Sequence, residues 1–191
     1  MFDRRTVIAS ALAAVAVPAS MRAVLAEPAM SRITAYAFTF SGLTGDDIRL
    51  SDYAGRPLLI VNTASQCGYT PQYAGLQQLW SAFHDRGLMI VGVPSNDFGG
   101  QEPGGASEIA ETAQHQYGVT FPIAAKVVVT GPNAHPFYRW AADARPKDVP
   151  RWNFHKYLIG RDGYIAEAFP STVDPSDTRV KTAIARAFAE T

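Results

Sequence analysis

The sequence predicts an α/β fold in which helices flank a central mixed β-sheet. Two continuous apolar runs, residues 58–63 and 88–93, have the length and composition of buried strands, and a helical pattern separates them. Further along, two strand patterns flank a short turn at residues 160–163, whose glycines and aspartate are typical of a β-hairpin. Strand–helix–strand order, followed by a hairpin and a closing helix, indicates parallel and antiparallel pairing in one sheet.

The first elements follow from alternation and from helix start signals. Residues 33–40 alternate between apolar and polar side chains and are predicted to form a strand ahead of the buried run 58–63. After that run, Thr70 as N-cap and Pro71 at the first helical position predict the start of a helix. The helix is expected to end at Gly87, a common stop signal. Its apolar face consists of Leu76, Leu79, Trp80 and Phe83.

The remaining elements complete the same layered arrangement. They are a helix over 107–117 that ends at Gly118, a strand over 123–129, a short helix over 137–144, hairpin strands over 154–159 and 164–169, and a final amphipathic helix that begins at Asp174-Pro175. This order is that of a thioredoxin-like domain. Parallel sheets bind ligands beyond the carboxyl ends of their strands. We therefore expect Cys67, Asn96 and Gln101, which follow such ends, to lie at the functional site.

Residues 1–26 have the layout of an export signal. Adjacent arginines at positions 4 and 5 precede a short alanine-rich apolar run, and small residues precede a cleavage site after Ala26. The arginine pair and the modest hydrophobicity resemble a twin-arginine signal; the alternative is a general secretory signal with an accidental arginine pair. Either signal exports the protein, so we expect a bacterial periplasmic location. The length of the remaining chain, residues 27–191, predicts a single domain.

Composition excludes several classes of function. The chain has 191 residues, 17 basic and 17 acidic side chains and no net charge, which argues against a nucleic-acid-binding surface. No apolar run reaches about 18 residues, so no membrane-spanning helix is expected. The four histidines show no metal-ligand spacing, so no metal site is expected.

Cys67 is the only cysteine in the sequence, which excludes an intrachain disulfide, a dithiol oxidoreductase and a cysteine-based zinc cage. Its thiol is either buried and inert or reactive, and the local sequence leaves both readings open. A turn between a buried strand and a helix N-terminus favours the thiolate. The neighbours Gln66, Gly68 and Thr70 are polar or small, so deep burial in apolar surroundings is not expected.

A reactive thiolate without a second cysteine suits the reduction of peroxides. The thiolate attacks the O–O bond, becomes a sulfenic acid and expels an alkoxide or hydroxide. That chemistry needs neutral hydrogen-bond donors, and the sequence offers Gln101 in a glycine-rich loop and the adjacent Trp152 and Asn153 ahead of the hairpin. Taken singly, these three residues also fit a solvated loop position, a packing aromatic and a turn former, respectively.

Three segments together carry a family resemblance. They are residues 62–73 (NTASQCGYTPQY), residues 96–103 (NDFGGQEP) and residues 152–158 (WNFHKYL). With these segments in this order and spacing, the chain closely resembles the glutathione peroxidase family from about Ile33 to Phe188. The resemblance implies a thioredoxin-like fold with a catalytic tetrad. The tetrad would consist of Cys67 as the peroxidatic nucleophile together with Gln101, Trp152 and Asn153.

The resemblance also implies an activity. It would be that of a thiol-dependent peroxidase in oxidative-stress defence, which reduces hydrogen peroxide or organic and lipid hydroperoxides without a cofactor. The co-substrate would be an external thiol, either glutathione or a thioredoxin-like protein. The alternatives are a non-catalytic peroxide sensor or binding protein, in which Cys67 is oxidised once without turnover, and a chaperone-like domain on the same fold.

The sequence departs from the family pattern in three places. Ser95 and Asp97 stand where the family usually carries Cys and Gln. The resolving cysteine of many two-cysteine members would fall at about Gln114, and because the chain has no second thiol, the sulfenic acid must meet an external thiol. The segment between Trp140 and Trp152 is short, whereas tetrameric members carry an insertion there, which predicts a monomer with an open active site.

Overall fold

The computed structural model describes residues 33–189, so the predicted export signal at residues 1–26 lies outside the described residues. The strands are β1 (Thr39–Ser41), β2 (Asp47–Arg49), β3 (Leu58–Thr63), β4 (Met89–Pro94), β5 (Lys156–Ile159) and β6 (Ile165–Phe169). The α-helices are α1 (Gln72–Phe83), α2 (Ala106–Ala110), α3 (Pro136–Ala144) and α4 (Thr178–Ala189), and a π-helical segment, Glu111–Gln116, extends α2. No helix within 33–189 is long and apolar enough to cross a membrane.

A four-stranded mixed sheet with the order β4-β3-β5-β6 forms the centre of the fold, as predicted. β3 pairs in parallel with β4, from Leu58 opposite Met89 to Thr63 opposite Pro94. β5 pairs antiparallel with both β3 and β6, and β1 and β2 form a separate antiparallel pair. Consequently the ends of β3 and β4 and the beginning of β5 lie at one edge of the sheet, which we call the carboxyl edge.

The sheet separates two apolar clusters. All six residues of β3 are buried, and because side chains alternate along a strand, Leu59 and Val61 face one cluster while Leu58 and Ile60 face the other. The first cluster joins the sheet to α1 and α4, and the second joins it to α3. This three-layer arrangement is the α/β architecture that the sequence predicts.

The predicted strand over residues 33–40 is wrong in its first half. A 3-10 turn occupies Ala35–Ala37, and the strand itself is confined to Thr39–Ser41. Within the turn, the Tyr36 hydroxyl donates a hydrogen bond to the Arg161 carbonyl (2.8 Å) in the β5–β6 hairpin. The alternating pattern therefore reflects packing on that hairpin rather than strand pairing.

The predicted strand over residues 123–129 is also wrong. The segment makes two single bridges, one to Gly92 of β4 and one to Gly42. A longer ladder beside β4 is blocked at Pro94, which accepts a hydrogen bond from the Val127 N–H group (3.0 Å) but has no N–H group to donate. The apolar character of the segment comes from packing along the edge of the sheet.

Two helices begin later than predicted. α1 begins at Gln72 because the Thr70 hydroxyl is engaged in the preceding turn instead of capping the helix. α4 begins at Thr178, where the Asp177 carboxylate accepts a backbone N–H group of the first turn (2.8 Å), and Asp174 closes a separate turn before it. In both places a polar side chain stabilises a local turn that competes with the helix.

Gly163 provides a test of the predicted hairpin turn. It adopts φ +82, and a Cβ atom there would lie 2.7 Å from the Tyr36 ring, whereas Gly131 adopts φ +75 with no atom within 4 Å of its Cβ position. We expect Gly131→Ala to lower the free energy of unfolding by about 1–2 kcal/mol, the cost of a left-handed residue. Overpacking should make Gly163→Ala about 1–3 kcal/mol worse than this control. Urea titration measures both losses, and equal values would contradict the packing role.

Candidate active site

Cys67 lies in the turn that follows β3 at the carboxyl edge, just before the N-terminus of α1. Its N–H group donates to the Thr70 hydroxyl (3.0 Å), which in turn donates to the Ala64 carbonyl (2.9 Å). The Cys67 sulfur accepts a hydrogen bond from the N–H group of Tyr69 (3.4 Å). These bonds close the turn around the sulfur.

The structure buries Cys67 more deeply than the sequence predicts. The residue is 7% exposed and belongs to the apolar cluster between the sheet, α1 and α4. The expectation of little burial is wrong because the flanking Gln66 and Gly68 are exposed while Cys67, between them, turns inward. The Tyr69 N–H group therefore contacts the sulfur where a surface thiol would have water.

The loop after β4 is tied to the Cys67 turn. The Gln66 N–H group donates to the Gln101 carbonyl (3.0 Å), so this loop lies beside the residue that precedes Cys67. Gly99 and Gly100 both adopt φ +66, which lets the chain double back ahead of Gln101. The two glycines thus serve a tight turn.

The two loop residues that depart from the family pattern bond to each other. The Asp97 N–H group donates to the hydroxyl of the buried Ser95 (3.4 Å). The Asp97 carboxylate accepts the N–H groups of Val129 (2.7 Å) and Thr130 (2.9 Å). Asp97 therefore fastens the loop to the segment that runs beside the sheet edge.

Trp152 and Asn153 reach the carboxyl edge from the other direction, because β5 begins there. Asn153 is fully buried, and its Nδ2 donates to Oε1 of Gln101 (3.0 Å). Trp152 is 38% exposed, and its ring centroid lies 6.0 Å from that of Phe98 in the Gln101 loop. The Asn62 side chain donates to the Trp152 carbonyl (3.1 Å) and thereby anchors this segment to the end of β3.

The structure thus brings the four predicted site residues to one edge of the sheet. The direct contact among their side chains joins Gln101 to Asn153, and the Gln101 backbone connects this pair to the Cys67 turn. Because Asn153 occupies the oxygen of the Gln101 amide, the NH₂ group at the opposite end is available as a donor. The arrangement can present neutral donors beside a thiol.

Sequence reasoning missed a buried carboxyl group at the site. Glu102 is fully buried, and its carboxylate accepts a hydrogen bond from the Ser65 hydroxyl (3.1 Å). Burial raises the pKa of Glu102, while the Ser65 hydrogen bonds and the Lys126 charge act in the opposite direction. The nearby Tyr73, also buried, has a raised pKa because of its own burial, although a Thr63 contact opposes the shift. Glu102 directly follows Gln101 in the loop motif, and this position was the signal in the sequence that could have indicated it.

The described residues contain no cluster suited to a metal ion. Within 33–189, no group of three histidine, cysteine, aspartate or glutamate side chains is placed to hold one. His135 and His155 are instead held in the structure by packing, and burial lowers the pKa of each, that of His155 to about 4.

Comparisons with known proteins identify close relatives. The family model described as glutathione peroxidase matches residues 35–142. The hydroperoxy fatty acid reductase gpx1 of Synechocystis sp. is 45% identical over 159 residues, which cover 78% of this chain and 94% of that protein. The glutathione peroxidase-like peroxiredoxin GPX5 of Chlamydomonas reinhardtii is 42% identical over 144 residues, which cover 74% of this chain and 89% of that protein.

Solved structures share the fold. The crystal structure of Trgpx in its apo form superposes with a TM-score of 0.68 at 32% identity, over 84% of this chain and 98% of that chain. A thiol:disulfide interchange protein of the thioredoxin family from Chlorobium tepidum gives a TM-score of 0.60 at 13% identity, over 79% of this chain and 92% of that chain. The likeness to the second protein concerns the fold alone. The fold is therefore thioredoxin-like, with the mixed sheet and flanking helices described above.

The raised pKa of Glu102 predicts a pH-dependent effect of Glu102→Gln on stability. Because the folded state binds the carboxyl proton more tightly than the unfolded state, the stability that this group contributes falls as pH rises above the ordinary value of 4.5. The glutamine amide of the variant does not titrate. Urea titrations at pH 4 and pH 8 should therefore show the variant gaining stability relative to wild type at the higher pH. A difference that is constant with pH, or reversed, would contradict this origin of the shift.

Proposed function

The chain belongs to the glutathione peroxidase family, and we propose that Cys67 is the residue at which it reduces hydroperoxides. It is a thiol peroxidase of the glutathione peroxidase type, and its thiol chemistry requires no cofactor. The observation that best supports Cys67 is its position. The one cysteine of the sequence lies at the edge of the sheet where Gln101, Trp152 and Asn153 also gather.

In the first step, the Cys67 thiolate attacks the outer oxygen of the hydroperoxide. A sulfur–oxygen bond forms, the O–O bond breaks, and the sulfur loses two electrons to the peroxide. The departing oxygen takes up a proton and leaves as an alcohol, or as water when the substrate is hydrogen peroxide. Cys67 is left as a sulfenic acid.

The three donor residues would stabilise the charge that moves from sulfur to oxygen in this step. The amides of Gln101 and Asn153 and the indole of Trp152 donate hydrogen bonds without adding a charge of their own. The hydrogen bond between Asn153 and Gln101 fixes the orientation of the Gln101 amide, so that its NH₂ group is presented. Donors held in place before the reaction need no reorganisation when the charge shifts.

In the second step, the sulfenic acid would react with a thiol from outside the chain. That thiol forms a mixed disulfide with Cys67 and releases water, and a second thiol then restores Cys67 and leaves as a disulfide. A single-cysteine route is supported by the position expected for a resolving cysteine, Gln114, which is an exposed residue of the π-helical segment. We propose glutathione or a thioredoxin-like protein as the reductant.

The substrates proposed are hydrogen peroxide and organic hydroperoxides, including those of lipids. The name of the Synechocystis relative, a hydroperoxy fatty acid reductase, supports the lipid class. The exposed ring of Trp152 supports it too, because an apolar surface at the rim of the site favours an apolar substrate. In cells the role would be defence against oxidative stress.

We also propose a location and an assembly state, both on the basis of the sequence. Residues 1–26, read as a twin-arginine-type or general secretory signal, support export to a bacterial periplasm, with residues 27–191 as the domain that acts there. The short connection between α3 and Trp152 supports a monomer, since the insertion associated with tetramers has no counterpart in it. A monomer leaves the carboxyl edge open to bulky substrates.

Substitution of the donors tests the proposed site. Gln101→Ala and Asn153→Ala should each slow the oxidation of Cys67 by hydrogen peroxide by about 10- to 1000-fold, because each removes an oriented donor. Stopped-flow measurement of sulfenic acid formation gives the rate. Gln114→Ala and Asn133→Ala, which change exposed residues, serve as matched controls and should react like wild type.

Cys67→Ser completes this test. The variant should show no thiol-dependent consumption of peroxide, and activity equal to wild type would end the assignment of Cys67. Unchanged rates in both donor variants would show that Gln101 and Asn153 only shape the loop. If wild type consumes no more than one peroxide per Cys67 when a thiol is supplied, the protein is a sensor and not a peroxidase.

The absence of a second cysteine predicts how Cys67 behaves without a reductant. Excess peroxide should carry the sulfenic acid on to the sulfinic acid, since no internal disulfide can form to protect it. Intact-mass spectrometry should then show the gain of two oxygen atoms. If glutathione is present from the start, a glutathionylated protein should appear instead, and Cys67→Ser should acquire neither mass. Full turnover with a non-thiol donor and no captured thiol would contradict the scheme.

A further inference from the structure

The side chain of Lys156, at the start of β5, is fully buried behind the site. Its ammonium group donates to the Gln72 side-chain oxygen (2.6 Å), the Phe154 carbonyl (2.7 Å) and the Val173 carbonyl (2.7 Å). An ammonium group has three hydrogens, and each of them has an acceptor here. Lys156 therefore joins the first residue of α1, the chain leading into β5 and the segment before α4.

The three acceptors of Lys156 are neutral, so the charge is costly to bury. Burial lowers the pKa of Lys156 to about 7, and the charge of Asp174 acts in the opposite direction. The other titratable group close by is His155 on the same strand, whose pKa burial and the Lys156 charge lower to about 4, so it is neutral near pH 7. From α1 the neutral Gln72 faces the ammonium. An apolar side chain of similar length would fill this space without the cost of a charge.

Phe154, one of the three acceptors, has an unusual backbone conformation. Its φ of +64 makes it the non-glycine residue with a positive φ among those described. A bulky residue in the left-handed region is strained and persists only when its surroundings hold it there. Two hydrogen bonds do so: the Phe154 N–H group donates to the Asn62 carbonyl (2.6 Å), and the Phe154 carbonyl accepts the Lys156 ammonium.

The conformation of Phe154 determines where Asn153 points. Asn153 precedes it directly and is fully buried, with its amide against Gln101 (3.0 Å). A relaxed backbone at Phe154 would rotate the peptide that follows Asn153 and shift this amide. The strained backbone at Phe154 is thus adjacent to Asn153, which with Gln101 forms the pair of amide donors proposed for the site.

We propose that Lys156 is a positioning residue for the peroxidatic site, whose ammonium holds the left-handed backbone at Phe154 and so sets the Asn153 amide against Gln101. The proposal rests on the role of Cys67 and its donors given above. Lys156 does not touch the substrate and acts through Asn153. The Gln72 side chain, as an acceptor, helps to hold the ammonium in place.

The first test is the rate of Cys67 oxidation in Lys156→Met, which keeps most of the length of the side chain and removes its donors. A misplaced donor pair should slow sulfenic acid formation by about 10- to 100-fold. In an Asn153→Ala background the same substitution should cost less than about 3-fold, since the residue through which it acts is already gone. Lys181→Met, an exposed lysine of α4, is the matched control and should react like wild type.

The outcomes of this test separate the inference from the proposed function. If wild type forms no sulfenic acid at Cys67, the proposed function fails. If wild type reacts and Lys156→Met reacts equally fast, only the positioning role fails. A loss of the same size with and without Asn153 would show that Lys156 acts by a general structural effect and would also overturn the inference.

A second variant keeps Lys156 and so avoids the risk that Lys156→Met does not fold. Deprotonated Lys156 has two hydrogens for three acceptor oxygens. Its hold on Gln72, Phe154 and Val173 should therefore weaken as pH rises above about 7. Gln72→Glu places a carboxylate beside the amine and should keep it protonated to higher pH. In wild type, deprotonation of Lys156 is expected to lower the rate of Cys67 oxidation as pH rises, and this decline should move to higher pH in Gln72→Glu. Identical pH profiles in the two proteins would overturn the inference.

Discussion

The antiparallel pairing of β5 with β3 determines where every part of the site lies. Because β5 runs against β3 and β4, the chain enters β5 at the same edge at which β3 and β4 leave the sheet. The turn with Cys67, the loop with Gln101 and the segment with Asn153 therefore meet without any long excursion of the chain. A parallel β5 would have placed Asn153 at the opposite edge, about 20 Å away for strands of this length.

The region where these segments meet is buried but contains several polar side chains, and each of them forms a hydrogen bond to another part of the chain. Asn62, Glu102, Asn153 and Lys156 are all fully buried. Each has partners from a different segment: Trp152 for Asn62, Ser65 for Glu102, Gln101 for Asn153, and three carbonyl oxygens for Lys156. Since an unpaired buried polar group is expensive, these partners must form together when the chain folds.

Local patterns were sufficient for much of this structure and insufficient for the rest, for identifiable reasons. The buried strands and the hairpin followed from apolar runs and glycine positions, and the motifs around Cys67, Gln101 and Asn153 led to the correct end of the sheet. The inward turn of Cys67 could not be predicted, because it depends on the Thr70 hydroxyl closing the turn instead of capping α1. The hydrogen bonds of Lys156 could not be predicted either, because two of its acceptors, Gln72 and Val173, come from distant segments.

The burial of Cys67 bears directly on the kind of donor that the proposed reaction needs. A thiolate that is removed from water loses its hydration and must be stabilised by other donors. In the proposed reaction the Tyr69 N–H group, which donates to the sulfur, would supply part of this stabilisation from the backbone. A fixed cation would stabilise the thiolate too, but it would hold the negative charge on sulfur and oppose its transfer to the peroxide oxygen. Amide and indole donors lack that bias, so the neutral side chains of Gln101, Asn153 and Trp152 suit the proposed reaction better than a cation such as Lys156 would.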